Sequence, residues 1–304
     1  MALLITEAAK LELPFLVSGV AEQIVTVDEV FNVIPFKNIA PVVTHEYNRE
    51  NSLGSQDASF IAPEGVVTES AATFTQVSDT VKVIVAAVNV PKLYLSNPTQ
   101  AATQIAKKSK QVARYFSQAF ITGSGTGNAF TGVLKLVSGS AGLDIPAGGT
   151  LGSNTLSGSL SFNLMDQAFD AVTIARPTAI FANKTTLQSY YTLLRNAGGI
   201  QPQMVQVPAI NSPYQTVGFR GVPVFRNDWI VANEQSNTNT GRMYFAYFDE
   251  NEGLTAFFNG NTILDISDPI PVPSSDSVQF VVAMRCGLSL QSTLALSCIS
   301  GLSN

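Results

Sequence analysis

NPTQAATQIAKKSKQVARYFSQAFITG, residues 97–123, is the longest punctuated helix signal in the chain, and its reading decides the fold. Asn97 can cap the N-terminus, and Pro98 sits at the first helical position, where a missing N–H costs least. Gly123 can take the left-handed conformation that ends a helix. Between them Ala101, Ile105, Val112, Phe116, Ala119 and Phe120 recur at the spacing of one helical face. Lys107, Lys108, Lys110 and Arg114 fall mostly off that stripe. The pattern predicts a rod over 98–122, apolar on one side and basic on the other, roughly 35 Å long at ~1.5 Å per residue.

The surrounding charge sharpens this reading. From Thr80 to Leu143 the chain holds Lys82, Lys92, Lys107, Lys108, Lys110, Arg114 and Lys135 and no Asp or Glu, so a net −5 protein divides into a +7 segment and a −12 remainder. Such asymmetry suggests a surface that meets a polyanion, although a solvated helix face also carries charge runs. No base-reading helix or aromatic-plus-basic strand motif accompanies it. Contact with nucleic acid would therefore run through phosphates, without sequence preference.

Composition adds a second constraint. At 304 residues and 45% hydrophobic content the chain can build one large core or two moderate ones. Only 13% of residues are charged, against ~25% in ordinary soluble domains, which suggests that much of the surface is buried against neighbours. Cys286 and Cys298 make neither a disulfide framework nor a zinc site and read as buried thiols. The opening MALLITEAAKLELPF lacks a basic n-region and carries Glu7 and Lys10 within its apolar run, so no signal peptide is expected. No apolar run approaches the ~18 residues of a membrane span, and no membrane partner is expected.

Working outward toward the N-terminus, Pro41 to Ala86 reads as two strands joined by a long polar excursion. Val43, His45 and Tyr47 alternate on one side, and Val77, Val81, Val83 and Val85 on the other. Residues Met1 to Ala40, with a short helical pattern over Thr6–Leu13 and an apolar run over Ile24–Ile34, read as an arm that must lie along a body. Toward the C-terminus, GSGTGNAFTGVLKL is a glycine-rich turn. Helices are expected over Leu160–Ile174 and Asn183–Gly198, the latter capped by Asn183, striped by Leu187, Tyr190, Tyr191 and Leu194 and stopped by Gly198. Strands are expected over Ala179–Ala182, Val222–Phe225 and Arg242–Phe248, and a long strand or strand pair through Val278, Phe280, Val282, Met284, Leu288 and Leu290.

No catalytic residue, metal site or cofactor is predicted. The one histidine, His45, reads as a surface or hairpin residue, because Glu46 beside it points to the opposite strand face. Gly123-Ser-Gly-Thr-Gly127 follows a helix instead of opening one and lacks the Gly-Lys-Ser/Thr ending of a phosphate loop. Asp249, Glu250 and Glu252 read as a solvated turn.

The order of arm, projecting hairpin, long basic helix, glycine-rich turn, compact α/β middle and returning strand resembles the major capsid proteins of tailed bacteriophages, the Hong Kong 97-type shell fold. Glu64-Gly65 followed by Ser70 and Phe74 looks like that family's hairpin element, and Gly123 to Leu134 looks like the turn after its spine helix. Gly218-Phe-Arg-Gly-Val-Pro-Val224 followed by Asn227 looks like its strand-and-turn near the axial domain, and Phe248-Asp249 like a strand end the family often has. The resemblance implies an α+β fold with an N-terminal arm (1–40), an extended loop (41–86), a peripheral domain (87–143 and 275–304) with spine helix 98–122, and an axial domain (144–274). It implies self-assembly into hexamers and pentamers of an icosahedral shell around double-stranded DNA, with Lys107, Lys108, Lys110 and Arg114 facing inward.

The partners so implied are other copies of the chain, packaged DNA, a portal and a separate scaffolding protein, since the sequence starts at the arm. A decoration protein is left open. The location implied is the virion, assembled in a bacterial cytoplasm. No lysine lies between Lys37 and Lys82, so the covalent crosslink that the namesake makes from a loop lysine is not expected. An encapsulin-like compartment shell has the same fold and stays open as an alternative, as do, more distantly, a phage tail or other structural protein and an α/β hydrolase.

Overall fold

Two cores lie on the two faces of one sheet, and most of the chain is arranged around them. The computed structural model describes residues 29–52, 63, 72–92, 98–138, 144–147, 158–197, 203–207, 214–230, 240–273 and 275–303. Helix α1 (Glu29–Val33) leads into β1 (Phe36–Asn38), and β2 (Thr44–Ser52) pairs antiparallel with β3 (Thr73–Thr80) as the root of a hairpin. Strand β4 (Lys82–Pro91) enters the body, followed by the long α2 (Pro98–Thr122) and the short α3 (Val133–Ser138). Next come β5 (Asp144–Pro146), α4 (Phe162–Ala171), β6 (Ala179–Ala182) and α5 (Lys184–Asn196). They are followed by β7 (Gln203–Val207), β8 (Tyr214–Phe219), β9 (Val222–Arg226) and β10 (Thr240–Ala246). The chain closes with β11 (Leu254–Phe258), β12 (Asp265–Ile266), β13 (Ile270–Pro271), β14 (Ser277–Leu290) and β15 (Leu296–Ser303).

Strand β14 organises a six-stranded sheet. It pairs antiparallel with β4 along Ser277–Cys286 and with β11, β12 and β13, while β1 joins β11 in parallel. The second sheet has seven strands in the order β5-β15-β10-β6-β9-β8-β7. Strand alternation divides its side chains between the cores. Phe181, Tyr244, Ala246, Leu296 and Cys298 join the core containing α2, whereas Ile180, Ala182, Met243, Phe245 and Ile299 join the core under α4 and α5. The C-terminal strand thus sits in the sheet between the two cores, while β14 belongs to the other sheet.

Helix α2 spans the residues its punctuation predicts; Asn97 lies outside the described residues. Ile105, Val112, Phe116 and Phe120 are buried as expected, together with Ala113, Ile121, Ser109 and Ser117. Each large apolar side chain so buried is worth about 1.5–3 kcal/mol, which outweighs the propensity differences along the helix. The Ser109 hydroxyl donates to the Ile105 carbonyl at 3.0 Å, so its burial leaves nothing unsatisfied. The Phe116 ring packs on Phe31, Phe36 and Phe130. Residues 29–38 therefore belong to this core, with Val30 and Ile34 fully inside it. The helical pattern at Thr6–Leu13 lies outside the described residues.

Two expectations need correction. Gly123 is not left-handed; within this turn the positive φ values fall at Gly125 (70°) and Gly127 (63°). Gly123 is required for close approach, because a Cβ there would lie 2.4 Å from the Phe130 carbonyl oxygen and 2.6 Å from that of Ala119. Second, the alternating run from Val77 to Val85 is not one hairpin strand. It breaks at Val81, whose N–H donates to the Val43 carbonyl at 2.9 Å, so that β3 pairs with β2 and β4 pairs with β14.

The middle of the chain follows its sequence signals closely. Asn183 caps α5 by accepting from the Thr186 N–H at 2.7 Å, and Tyr190 and Leu194 are buried on its stripe; the predicted stop, Gly198, lies outside the described residues. Helix α4 begins at a Ser161 cap and is shorter than the predicted Leu160–Ile174.

Candidate nucleic-acid interface

Residues on α2 separated by three and four positions are neighbours on its surface. Lys107, Lys110 and Arg114 therefore form one line, on the side away from Val112 and Phe116. Lys107 and Arg114 are exposed and Lys110 is half-buried. Among the described residues no hydrogen bond or ion pair holds any of the three. Lys108 stands ~100° around the helix from Lys107, on the flank of Gln111 and Tyr115, and its Nζ donates to Gln111 Oε1 at 3.1 Å. Of the four basic residues singled out in the sequence, the structure lines up three and sets one apart. Two other lysines of the basic segment are engaged in the fold. Lys82 donates to the Gly127 carbonyl at 2.9 Å, and Lys92 pairs with Asp276 at 3.1 Å.

The layer beneath α2 presents a different surface. Ile84, Ala86 and Val88 of β4 turn toward the core, so Val83, Val85 and Ala87 turn away from it. Val83 is 54% and Val85 56% exposed. Among the described residues β4 pairs with β14 alone, leaving its other edge open, and no charged residue interrupts it between Lys82 and Lys92. An open, uncharged, apolar edge strand is a template for association unless something covers it. The basic line and the apolar strip thus lie on opposite sides of one helix-on-sheet layer.

The residues considered for catalysis are placed otherwise than a site requires. His45 is on the hairpin but not on its surface: it is 7% exposed, its ring stacked on Phe257 at 5.3 Å. Burial, and then the nearby Lys37, lower its pKa and favour the neutral ring. Exposed Glu46 lies on the other face. Asp249 accepts from the Asn251 and Glu252 N–H groups at 2.9 and 3.0 Å, which makes that acidic cluster a closed turn. Gly123–Gly127 forms the first arm of a turn bridged between Ser124 and Thr131. Cys286 and Cys298 are buried free thiols, and burial pushes Cys286 up to about 12. Among the described residues no group of three or more His, Cys, Asp or Glu could hold a metal ion, and no helix is long and apolar enough to cross a membrane.

The sequence missed one further polar group. Tyr47 and Arg49, on the same face of β2 as His45, reach carbonyls at the far end of β14. The partners are more than 240 residues apart, and a backbone carbonyl has no sequence signature.

Solved structures with a similar fold include an encapsulin and capsids. A chain of the holo-SrpI encapsulin complex from Synechococcus elongatus PCC 7942 superposes with a TM-score of 0.69 at 13% identity, covering 92% of this chain and 89% of that one. The capsid of an empty GTA particle gives 0.64 at 14% identity with 90% of each chain covered, and Mycobacterium phage Bobi 0.62 at 15% with 89% of each. The mixed helix and strand fold is thus similar to that of Hong Kong 97-type capsid proteins, a class with a structural role. No curated protein matches the chain. The phage capsid family model matches residues 16–300, and the chain belongs to that family.

Proposed function

We propose that this chain is a major capsid protein that assembles into hexamers and pentamers of an icosahedral shell enclosing double-stranded phage DNA. The observation that carries the reading is the pair of opposed surfaces on one layer: a basic line on α2 and the apolar strand β4, the first without an ion pair and the second with an open edge among the described residues. The first suits phosphates on the inside of a shell, and the second suits the repeated contacts of closed assemblies. In this reading the core around α2 is the peripheral domain, with α2 its spine helix, and the core under α4 and α5 is the axial domain. Strand β15 serves both. The hairpin continues as the extended loop, whose Glu64-Gly65 element lies outside the described residues. Packaged DNA, a portal and a scaffolding protein are the partners this function entails, and the virion is its location.

The test is negative-stain electron microscopy of the protein expressed alone, with absorbance at 260 and 280 nm recorded on the same fractions. Closed polyhedra or capsomer-sized rings are expected, with nucleic acid in the closed particles. Monomers persisting at high concentration would count against assembly. The encapsulin-like fold supports a second reading, a compartment shell, which predicts particles holding protein and no nucleic acid.

The apolar strip makes a separate prediction. Val85→Lys places a charge on the open strand at little cost to the fold, since the side chain already faces outward. It is expected to leave the subunit folded by circular dichroism and to reduce assembly at least tenfold by light scattering. Normal shell yield from Val85→Lys would mean that β4 is not a contact.

A further inference from the structure

We infer that Tyr47 and Arg49 fasten the hairpin to the junction between the two sheets, so that the hairpin root and that junction move as one unit. The chain crosses between the sheets twice in this region. Residues 247–253 lead from β10 to β11, and residues 291–295 lead from β14 to β15. The crossings are stitched together: the Tyr247 N–H donates to the Ala295 carbonyl at 2.8 Å, the Gln291 N–H to that of Gly253 at 3.1 Å, and Gln291 Nε2 to that of Glu250 at 2.8 Å.

The hairpin grips this stitched pair directly. The Tyr47 hydroxyl donates to the Leu290 carbonyl at 2.9 Å, and Arg49 Nε to that of Gln291 at 2.9 Å. A second Arg49 nitrogen also donates to Leu290. Strand β14 pairs with β4 only as far as Cys286, so these carbonyls lie beyond the reach of that ladder and accept side-chain donors instead. The grip is itself held in shape. Asp79 lies across from His45 and has a carboxylate oxygen 3.2 Å from the Tyr47 hydroxyl, and the Arg49 guanidinium sits over the Tyr47 ring at 5.6 Å. His45 adds a ring contact to Phe257, which lies across Gly287, where a Cβ would come within 2.2 Å of the Phe257 ring.

Two side chains thus tie the hairpin to residues 290–291, and Gln291 in turn ties these to residues 247–253, so that three segments remote in sequence are joined. A change in angle between the sheets must displace both crossings and, through the Leu290 and Gln291 carbonyls, the hairpin. The direction in which the hairpin leaves the body is then set within the subunit.

Hydrogen exchange on the full chain, with wild type and variants in the same assembly state, tests the coupling. The double variant Tyr47→Phe, Arg49→Ala is expected to speed exchange at least tenfold both in β2 and β3 and in residues 247–253 and 291–295, with α5 unchanged. Faster exchange in the hairpin alone would overturn the inference, as would no change. Gln291→Ala removes the side-chain bond of the stitch to the Glu250 carbonyl while keeping the backbone carbonyl that Arg49 grips, and provides the reverse test, useful should the double variant fold poorly. Coupling is reciprocal, so β2 and β3 must exchange faster in this variant; wild-type rates there would also overturn it. Arg49→Lys keeps the charge but not the fork, and is expected to fall between wild type and the double variant.

Discussion

Shells built from a Lys107→Glu, Lys110→Glu, Arg114→Glu variant are expected to form in normal yield and to retain little or no DNA. The fold should tolerate the change. Lys107 with Lys110, and Lys110 with Arg114, are already like-charged neighbours that cost roughly 0.2–0.5 kcal/mol per pair. Reversing all three signs keeps those repulsions and breaks no ion pair among the described residues. The expected loss is electrostatic: three phosphate contacts per subunit become three repulsions. Each phosphate contact contributes about 0.9 to the slope of log affinity against log salt, so three lost contacts should flatten that slope by roughly 2.7. Absorbance ratios on purified particles and a salt titration of subunit–DNA binding check the two halves of the prediction. Lys108→Glu, on the other flank beside Gln111, should have the smaller effect. If the triple variant keeps its DNA at wild-type content, the line does not face DNA. If it folds but forms no shells, the line is a contact between subunits.

That three like charges line one helix with no ion pair among the described residues is itself informative. Local rules would intersperse acidic residues along an exposed helix, and departures from local consistency concentrate where function requires them. Charge counting found the segment, because the absence of Asp and Glu from residues 80–143 survives any error in element boundaries. Dividing Lys108 from the other three required the helix itself.

The fold was legible where the signal is local. Periodicity and caps placed α2, α5 and the four-residue β6 nearly to the residue. They failed where the decision is tertiary. Ser109 and Ser117 look polar in sequence yet lie in the core, Ser109 with its hydroxyl turned back onto its own helix. The period of two from Val77 through Val85 is interrupted only by Asp79, and nothing in it shows that the strand changes partners at Val81. His45 reads as a surface residue because the aromatic ring that covers it, Phe257, comes from a strand more than 200 residues away. The hairpin grip was out of reach for the same reason.

The second large effect is expected at Gly132. Gly132→Ala should destabilise the subunit far more than Gly127→Ala, although only Gly127 has a left-handed backbone. A Cβ on Gly127 meets nothing within 4 Å, so the cost there is the ~1–2 kcal/mol of placing an L side chain at positive φ. A Cβ on Gly132 would lie 2.5 Å from the Gly123 nitrogen, 2.7 Å from the Ala119 carbonyl oxygen and 2.9 Å from that of Ile121. All three are backbone atoms of the last turn of α2 or its end, and no rotamer change moves them. Relief requires prying the turn away from the helix, which breaks the bond from the Gly132 N–H to the Gly123 carbonyl at 3.0 Å. Overpacking that side chains can absorb costs about 1–3 kcal/mol, so a rigid clash of this kind belongs at or above ~3 kcal/mol. At ~2–4 °C per kcal/mol for larger domains, the unassembled subunit should melt at least about 6 °C lower, or fail to accumulate in soluble form. Thermal melts of the two variants decide the matter; a Gly132→Ala melt at or above that of Gly127→Ala would remove close packing as the reason for the glycine. More than local stability depends on this turn. Lys82, at the start of β4, is tied to the Gly127 carbonyl, so the seam that Gly123 and Gly132 close also fixes the end of α2 against the strand that carries the apolar strip. Opening it would loosen the one geometric relation, basic line on one side and apolar edge on the other, by which a shell subunit could face its contents and its neighbours at once.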